Sequence, residues 1–337
     1  MTKIRVFDAP GNTYRRVSPT GRRDAGEASS TERVITRRHL SLGFPMVDAH
    51  QHFWDPLTNY HPWLRDEPPI PFRYGDYSSL RRPYLPADYL AEVAPWNIEQ
   101  TVYIETEWNP QDPAGEMTYV DQLRRASGLP TVAIGQAWLD ADNCAAVLER
   151  HATWPFVRGV RHKPRANATP HDNAPGGMED AAWRRGYARL KPLNLHFELQ
   201  TPWWHLAEAA ALARDFADTQ IVINHTGMPA DRSPAGLAGW KQAMRLAADC
   251  PNIAVKISGI GQAGMPWTVA ANRDIVLTAI ELFGTERAMF ASNFPVDRLT
   301  ASFATIFGGF DAITHDFADS ERRALFHDNA QRFYRMA

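Results

Sequence analysis

Eight short runs rich in β-branched and apolar residues recur along the chain. They are "MVDAHQHF" (46–53), "QTVYIETE" (100–107), "TVAIGQAWL" (131–139), "VRGVRH" (157–162), "LHFELQ" (195–200), "QIVINHTG" (220–227), "IAVKISG" (253–259) and "AMFASNF" (288–294). Between them lie stretches with apolar residues at three- and four-residue steps, such as "WWHLAEAAALARDF" and "RDIVLTAIELFG". Parallel neighbours need a crossover connection, so this alternation predicts a parallel sheet with helical returns. The count of eight predicts a (β/α)8 TIM barrel. An open doubly wound sheet is the competing architecture, but no glycine-rich phosphate loop follows any of these runs. At 337 residues the chain exceeds the roughly 250 that such a barrel needs. The domain organisation expected is therefore an N-terminal arm over 1–45 and a barrel over 46–337.

The formal net charge of −2 gives no broad electrostatic reason to bind nucleic acid or an acidic membrane surface, so the expected partner is a small-molecule substrate. No apolar stretch reaches the roughly 20 residues that a bilayer crossing requires. The N-terminus lacks the apolar run of a secretory signal, and Asp24, Glu27 and Glu32 argue against a transit peptide. Cys144 and Cys250 stand in no metal-ligand spacing and fit a reducing compartment. The expected localisation is cytoplasmic. An ordered arm packed on a neighbouring copy would favour a homodimer.

Within "MVDAHQHFW" (46–54), strict alternation would turn Asp48, His50 and His52 to one side of the first strand. In a barrel that side is a packed core, where two imidazoles are costly unless each finds a partner. A metal or a polar substrate would supply one. A lone histidine at a strand end usually has a structural hydrogen bond; a pair sharing one face points to chemistry. Other polar residues gather at strand ends: Glu105 and Glu107; Arg161, His162 and Lys163; His196, Glu198 and Gln200; His225; Lys256 and Ser258; Asn293, with Asp297 beyond it. Such convergence is what a barrel-mouth site requires. Glu107 lies nearer the mouth than Glu105 and is the better candidate, while His196 begins its strand. Trp54 is positioned to wall a pocket. Two long connections, 54–86 and 163–180, leave the same face, and Tyr60, Trp63, Arg65, Arg73, Tyr74 and His171 are expected to shape the pocket. His151, His171, His205, His315 and His327 fall in helices or loops and read as solvated or capping residues.

Taken together, "DAHQHFWDP", "HPWL", "GVRH", "FELQ", "INHTGMP", "VKISG", "FASNFPVD" and "FHDNAQRFYR" resemble the lactonase branch of the amidohydrolase superfamily, of the amidohydrolase-2 type, over roughly residues 46–337. The branch includes pyrone-dicarboxylate lactonase and the lactonases of L-rhamnono- and L-fuconolactone. The resemblance implies a barrel that opens a cyclic ester with activated water. His50 and His52 match the first-strand pair and His225 the sixth-strand histidine, and these three would be the ligands of one divalent metal, zinc or manganese. Some members of the branch work without metal, so both states stay open here. The chain departs from the pattern at Asn293, where the superfamily places an aspartate that binds metal and acts as general base. An amide cannot take up a proton at neutral pH, so the base falls to Asp297 or to one of the three histidines. The expected catalytic set is thus His50, His52, His225, Asn293 and Asp297, with Trp54, Glu107, Arg161, Lys163, His196, Gln200 and Lys256 binding substrate. A metal-dependent non-oxidative decarboxylase and a barrel that binds a small acid without converting it are the alternative readings.

Overall fold

The computed structural model describes residues 42–172 and 174–336, so the arm expected over 1–45 lies, up to residue 41, outside the described residues. Eight strands form one sheet in sequence order: β1 (Met46–Gln51), β2 (Ile98–Ile104), β3 (Val132–Gln136), β4 (Val157–His162), β5 (His196–Leu199), β6 (Ile221–Ile223), β7 (Ile253–Ile257) and β8 (Ala288–Phe290). Every consecutive pair is parallel. Each strand is followed by a helix: α1 (Pro86–Val93), α2 (Glu116–Ser127), α3 (Cys144–Ala152), α4 (Ala181–Tyr187), α5 (Leu206–Asp215), α6 (Pro234–Ala248), α7 (Val269–Phe283) and α8 (Phe303–Ile313). This is the (β/α)8 barrel that the alternation predicts. Local chemistry sets the later helix starts: Ser233, Thr268 and Ser302 each accept the backbone N–H three residues on, at 3.1 Å, and Pro234 occupies a first-turn position where its missing N–H costs nothing.

The sheet closes where β1 meets the residues after β8. His52 N donates to Phe294 O and Asn293 N to His50 O, each at 2.8 Å. Here one expectation fails. Asp48 pairs with Thr101 and Gln51 with Tyr103, so β1 carries one more residue than β2 over this stretch, a β-bulge. Val47 and Ala49 join the inner apolar cluster, whereas Asp48 faces α1 and accepts the Tyr89 hydroxyl at 2.9 Å. After the bulge His50 and His52 point inward. Asp48 therefore lies on the opposite side from the histidines.

The barrel interior has two tiers. One is apolar, built from Val47, Ala49, Val102, Ile104, Val132, Ile134, Val222, Ala254, Met289 and Ala291, with Ala330, Phe333 and Tyr334 from the C-terminal segment, which includes α9 (Asn329–Phe333), packed against it. The other is a buried polar knot centred on Glu198. Its Oε1 accepts the Tyr334 hydroxyl at 2.6 Å and lies 3.3 Å from His196 Nε2. Its Oε2 sits 2.8 Å from Lys256 Nζ and also takes the Asn224 amide. Burial alone would raise the Glu198 carboxyl, but Lys256 and His196 outweigh it and bring it down to about 2. His196 and Lys256, expected to bind substrate, are instead committed to this knot: His196 pairs with Gly159 at the start of β5, and Lys256, the penultimate residue of β7, is fully buried. Three histidines read as solvated or capping are also buried, because each has a partner inside: His151 with Gln136 O, His205 with Glu208, His327 with Asp328. His171 and His315 are exposed as expected. Both cysteines are free and buried.

A buried ion pair is damaged most by losing one member. Glu198→Ala should lower unfolding free energy by about 3–5 kcal/mol, whereas the double change Glu198→Leu with Lys256→Met should recover most of that loss. Urea unfolding of the parent and these two variants tests it; a double variant no more stable than Glu198→Ala would contradict the pairing.

Candidate active site

At the C-terminal ends of the strands the backbone adopts conformations that L residues avoid. Glu107, His225, Thr226, Met228 and Asn293 all have φ between 53° and 56°. A left-handed non-glycine residue costs on the order of 1 kcal/mol or more, and clusters of them mark sites where geometry matters more than stability. Gly259, at φ 61°, serves the same end: a Cβ there would stand 2.7 Å from the His225 ring, so its lack of a side chain lets the imidazole lie against β7.

Three imidazoles meet here. His50 Nε2 is 3.2 Å from His52 Nε2, and the His50 and His225 ring centroids are 4.6 Å apart. His52 Nδ1 faces the Ile104 carbonyl at 2.8 Å, so Nδ1 carries the proton and Nε2 presents a lone pair. His225 Nδ1 meets Ser258 Oγ at 3.0 Å. Burial, reinforced by neighbouring cations, holds all three neutral: His52 falls to about 3, and His50 and His225 lie well below the usual histidine range. Asn293 Oδ1 stands 3.3 Å from His52 Nε2, and its amide Nδ2 donates to Asp297 Oδ1 at 2.6 Å. Asp297 is thoroughly occupied. It also accepts the Tyr74 hydroxyl at 3.0 Å and Gly259 N at 3.1 Å, with Arg73 Nη2 at 3.5 Å. Burial raises its carboxyl, and these same donors oppose the rise. Its Oδ1 holds the Asn293 amide in place.

His52 and His225 open onto a cavity of about 290 Å³, whose wall includes Trp54, Trp63, Phe72, Arg73, Glu105, Glu107, Arg161, Lys163, Gln200 and Asn293. Trp54, Glu107, Arg161, Lys163 and Gln200 thus stand where the sequence reading put them. Glu105 and Glu107, which follow β2, both reach this wall, and Glu107 N turns back onto Glu105 Oε2 at 2.7 Å. Glu105, passed over in the sequence, binds Arg161, which also donates from Nη1 to Gln200 Oε1 at 3.0 Å. Lys163 pairs with Glu107. Of the loop residues, Trp63 and Arg73 line this cavity and Tyr74 an adjoining one. Tyr60 bonds Asp66 at the surface, and Arg65 and His171 are exposed and line neither.

Among the described residues no group of three or more His, Cys, Asp or Glu side chains is arranged to hold a metal ion. A smaller set does suit a cation. His52 Nε2 and Asn293 Oδ1 face each other as acceptors, and His50 Nε2 lies beside them while its buried Nδ1 lacks a partner. Two imidazoles and an amide oxygen fit a divalent ion with neutral donors only, without the carboxylate that would strengthen the hold.

The family model described as Amidohydrolase matches residues 47–336. The chain belongs to the amidohydrolase family. It is accordingly an enzyme, a hydrolase of that type. It is 40% identical over 294 residues to the uncharacterized protein y4mH of Sinorhizobium fredii, covering 86% of this chain and 98% of that one. An L-fucono-1,5-lactonase of Burkholderia multivorans is 25% identical over 310 residues, covering 87% and 97%. The fold is similar to that of a zinc-bound amidohydrolase from Burkholderia multivorans, with a TM-score of 0.71 at 24% identity over 87% of this chain and 100% of that one. Among the described residues no helix is long and apolar enough to cross a membrane.

The unfolded chain takes up protons on these histidines below the ordinary value of 6.5 and the folded chain does not, so acidification through that range removes stability. In ¹⁵N-labelled protein at pH 5, the ring nitrogens of His50, His52 and His225 should keep the shifts of neutral imidazole. Imidazolium shifts at that pH would contradict the burial described.

Proposed function

We propose that this amidohydrolase opens a lactone, the cyclic ester of a small sugar acid or carboxylated ring, with water activated at the barrel mouth. The observation that carries the reading is the meeting of neutral imidazoles at one cavity, His52 and His225 in its wall and His50 behind them. The likeness to L-fucono-1,5-lactonase supports the class of substrate. Asp297 is engaged by Asn293, Tyr74, Arg73 and Gly259 and does not line the cavity, which leaves the base to an imidazole, and His225, in the wall and braced by Ser258, is the one we assign to it. His225 takes a proton from water as the oxygen attacks the acyl carbon. The ring C–O bond then breaks, and the departing alkoxide receives that proton. Arg161 and Lys163 lie in the same wall, where their positive ends stabilise the developing oxyanion even while paired. A divalent ion held by His50, His52 and Asn293 Oδ1, zinc or manganese, supplies Lewis-acid polarisation of the acyl group when bound.

The test is a panel of 1,4- and 1,5-aldonolactones and carboxylated lactones, followed by acid release with a pH indicator, with and without added zinc or manganese. At least one lactone should be hydrolysed, with ¹⁸O from water appearing in the product. His225→Ala should lower kcat by about 10²- to 10⁴-fold, the range for a lost general base, and His50→Ala with His52→Ala should abolish turnover in a folded protein. Release of carbon dioxide from an aromatic or unsaturated acid, with every lactone untouched, would replace this reading with decarboxylation.

A further inference from the structure

The cations around the reaction cavity are already opposed. Arg161 faces Glu105, Lys163 faces Glu107, and Arg73 faces Asp297; deeper in the barrel Lys256 faces Glu198. An acidic substituent on the substrate would find no spare positive charge there. Arg161, Lys163 and Lys256, which the sequence analysis expects to bind substrate, are each paired with an acid.

A spare charge lies in the next chamber. A second cavity of about 560 Å³ adjoins the first and shares Arg73 and Met228 with it. Its wall includes Trp203, Trp204, Pro170, Pro202, Met265 and Arg232. Arg232 follows β6, and its Nη2 donates to Ile260 O at 2.6 Å and reaches Asn272 Oδ1 at 3.5 Å. Its Nε has no partner, and among the described residues no carboxylate lies within ion-pair range of it. Neighbouring Asp231 also lines this cavity, but its Oδ1 accepts Ser233 N at 2.8 Å at the start of α6 and its carboxylate forms no ion pair with Arg232. The indole Nε1 of Trp204 is likewise buried without an acceptor. Flat apolar walls around an unopposed guanidinium are the features that recognise an anionic group carried on a planar or apolar body.

We infer that the second cavity is a subsite for an anionic arm of the substrate, with Arg232 as its counter-charge and Trp203 and Trp204 as its walls. Its substrate is then a cyclic ester whose non-reacting part is larger than the ring that opens, since the second cavity has nearly twice the volume of the first. Arg73 stands between the two chambers, 3.5 Å from Asp297 Oδ1 and 3.4 Å from Gly259 O. The inference rests on the lactonase reading for what happens in the first cavity, but its own test needs no turnover.

Phenylacetate and its neutral isostere phenylacetamide are the probes, titrated by calorimetry against the full-length protein. The acid should bind at least about tenfold more tightly than the amide, the difference expected of a hydrogen bond to a charged group. Arg232→Gln should erase that difference, and Arg232→Lys should restore part of it, with circular dichroism confirming that both variants fold. Equal binding of acid and amide, no binding of the acid at millimolar concentration, or an Arg232→Gln protein that holds the acid as well as the parent would overturn the subsite. Inactivity on every lactone with phenylacetate binding intact would sink the hydrolysis and spare the subsite; the converse result would do the opposite.

Discussion

The carboxylate of Asp48 holds the seam on which the rest is built. Its Oδ1 accepts Ser292 N at 2.8 Å and His50 N at 3.3 Å, and its Oδ2 accepts Ser292 Oγ at 2.6 Å and the Tyr89 hydroxyl at 2.9 Å. Those bonds join the first strand to the segment beyond the eighth, pin the seam to α1, and fix the bulge that turns His50 inward beside His52. Burial lifts the Asp48 carboxyl to about 6, with the same hydrogen bonds pulling the other way. One buried group thereby couples closure of the cylinder to the placement of two functional imidazoles.

Above that seam the site reaches electrical balance by two different routes. The imidazoles are stripped of water and stay uncharged, while the long cations of the wall are each set against an acid. Desolvating an ion costs several kcal/mol, so in a crowded barrel interior either the charge is discharged or it is matched. Lys256 sits close enough to weigh on His50, its largest charge-based influence, and Glu198 beneath it absorbs the excess. Against that background an unmatched guanidinium such as that of Arg232 stands out by contrast.

Much of this was legible in the chain itself, for identifiable reasons. The strand runs, the crossover helices and the polar strand ends follow from local periodicity, and His50, His52 and His225 announce themselves because polar groups in β patterns demand partners. The bulge was not legible. Inserting one residue changes no composition, yet it reverses the side on which Asp48 lies. Nor could spacing show that the Lys256 and His196 side chains meet a buried carboxylate, which is why both read as binding residues and prove to be part of the Glu198 knot. Glu105 was undervalued because the alternation rule stops where Glu107 turns left-handed. Arg232, in a loop with no periodic pattern, gave no signal beyond its charge.

The left-handed residues at the rim have an implication for heat tolerance. Relaxing Thr226 or Met228, with φ of 56° and 55°, to glycine would remove the steric penalty of a side chain in that conformation, although glycine's greater freedom in the unfolded chain offsets part of the gain. The opposite end of the barrel has left-handed residues as well, Asn194 at φ 56° and Arg335 at φ 48°, but these do not line the reaction cavity. Thermostability and turnover should therefore compete at the rim far more than at the base, so a hardened variant is best sought there only when speed can be surrendered.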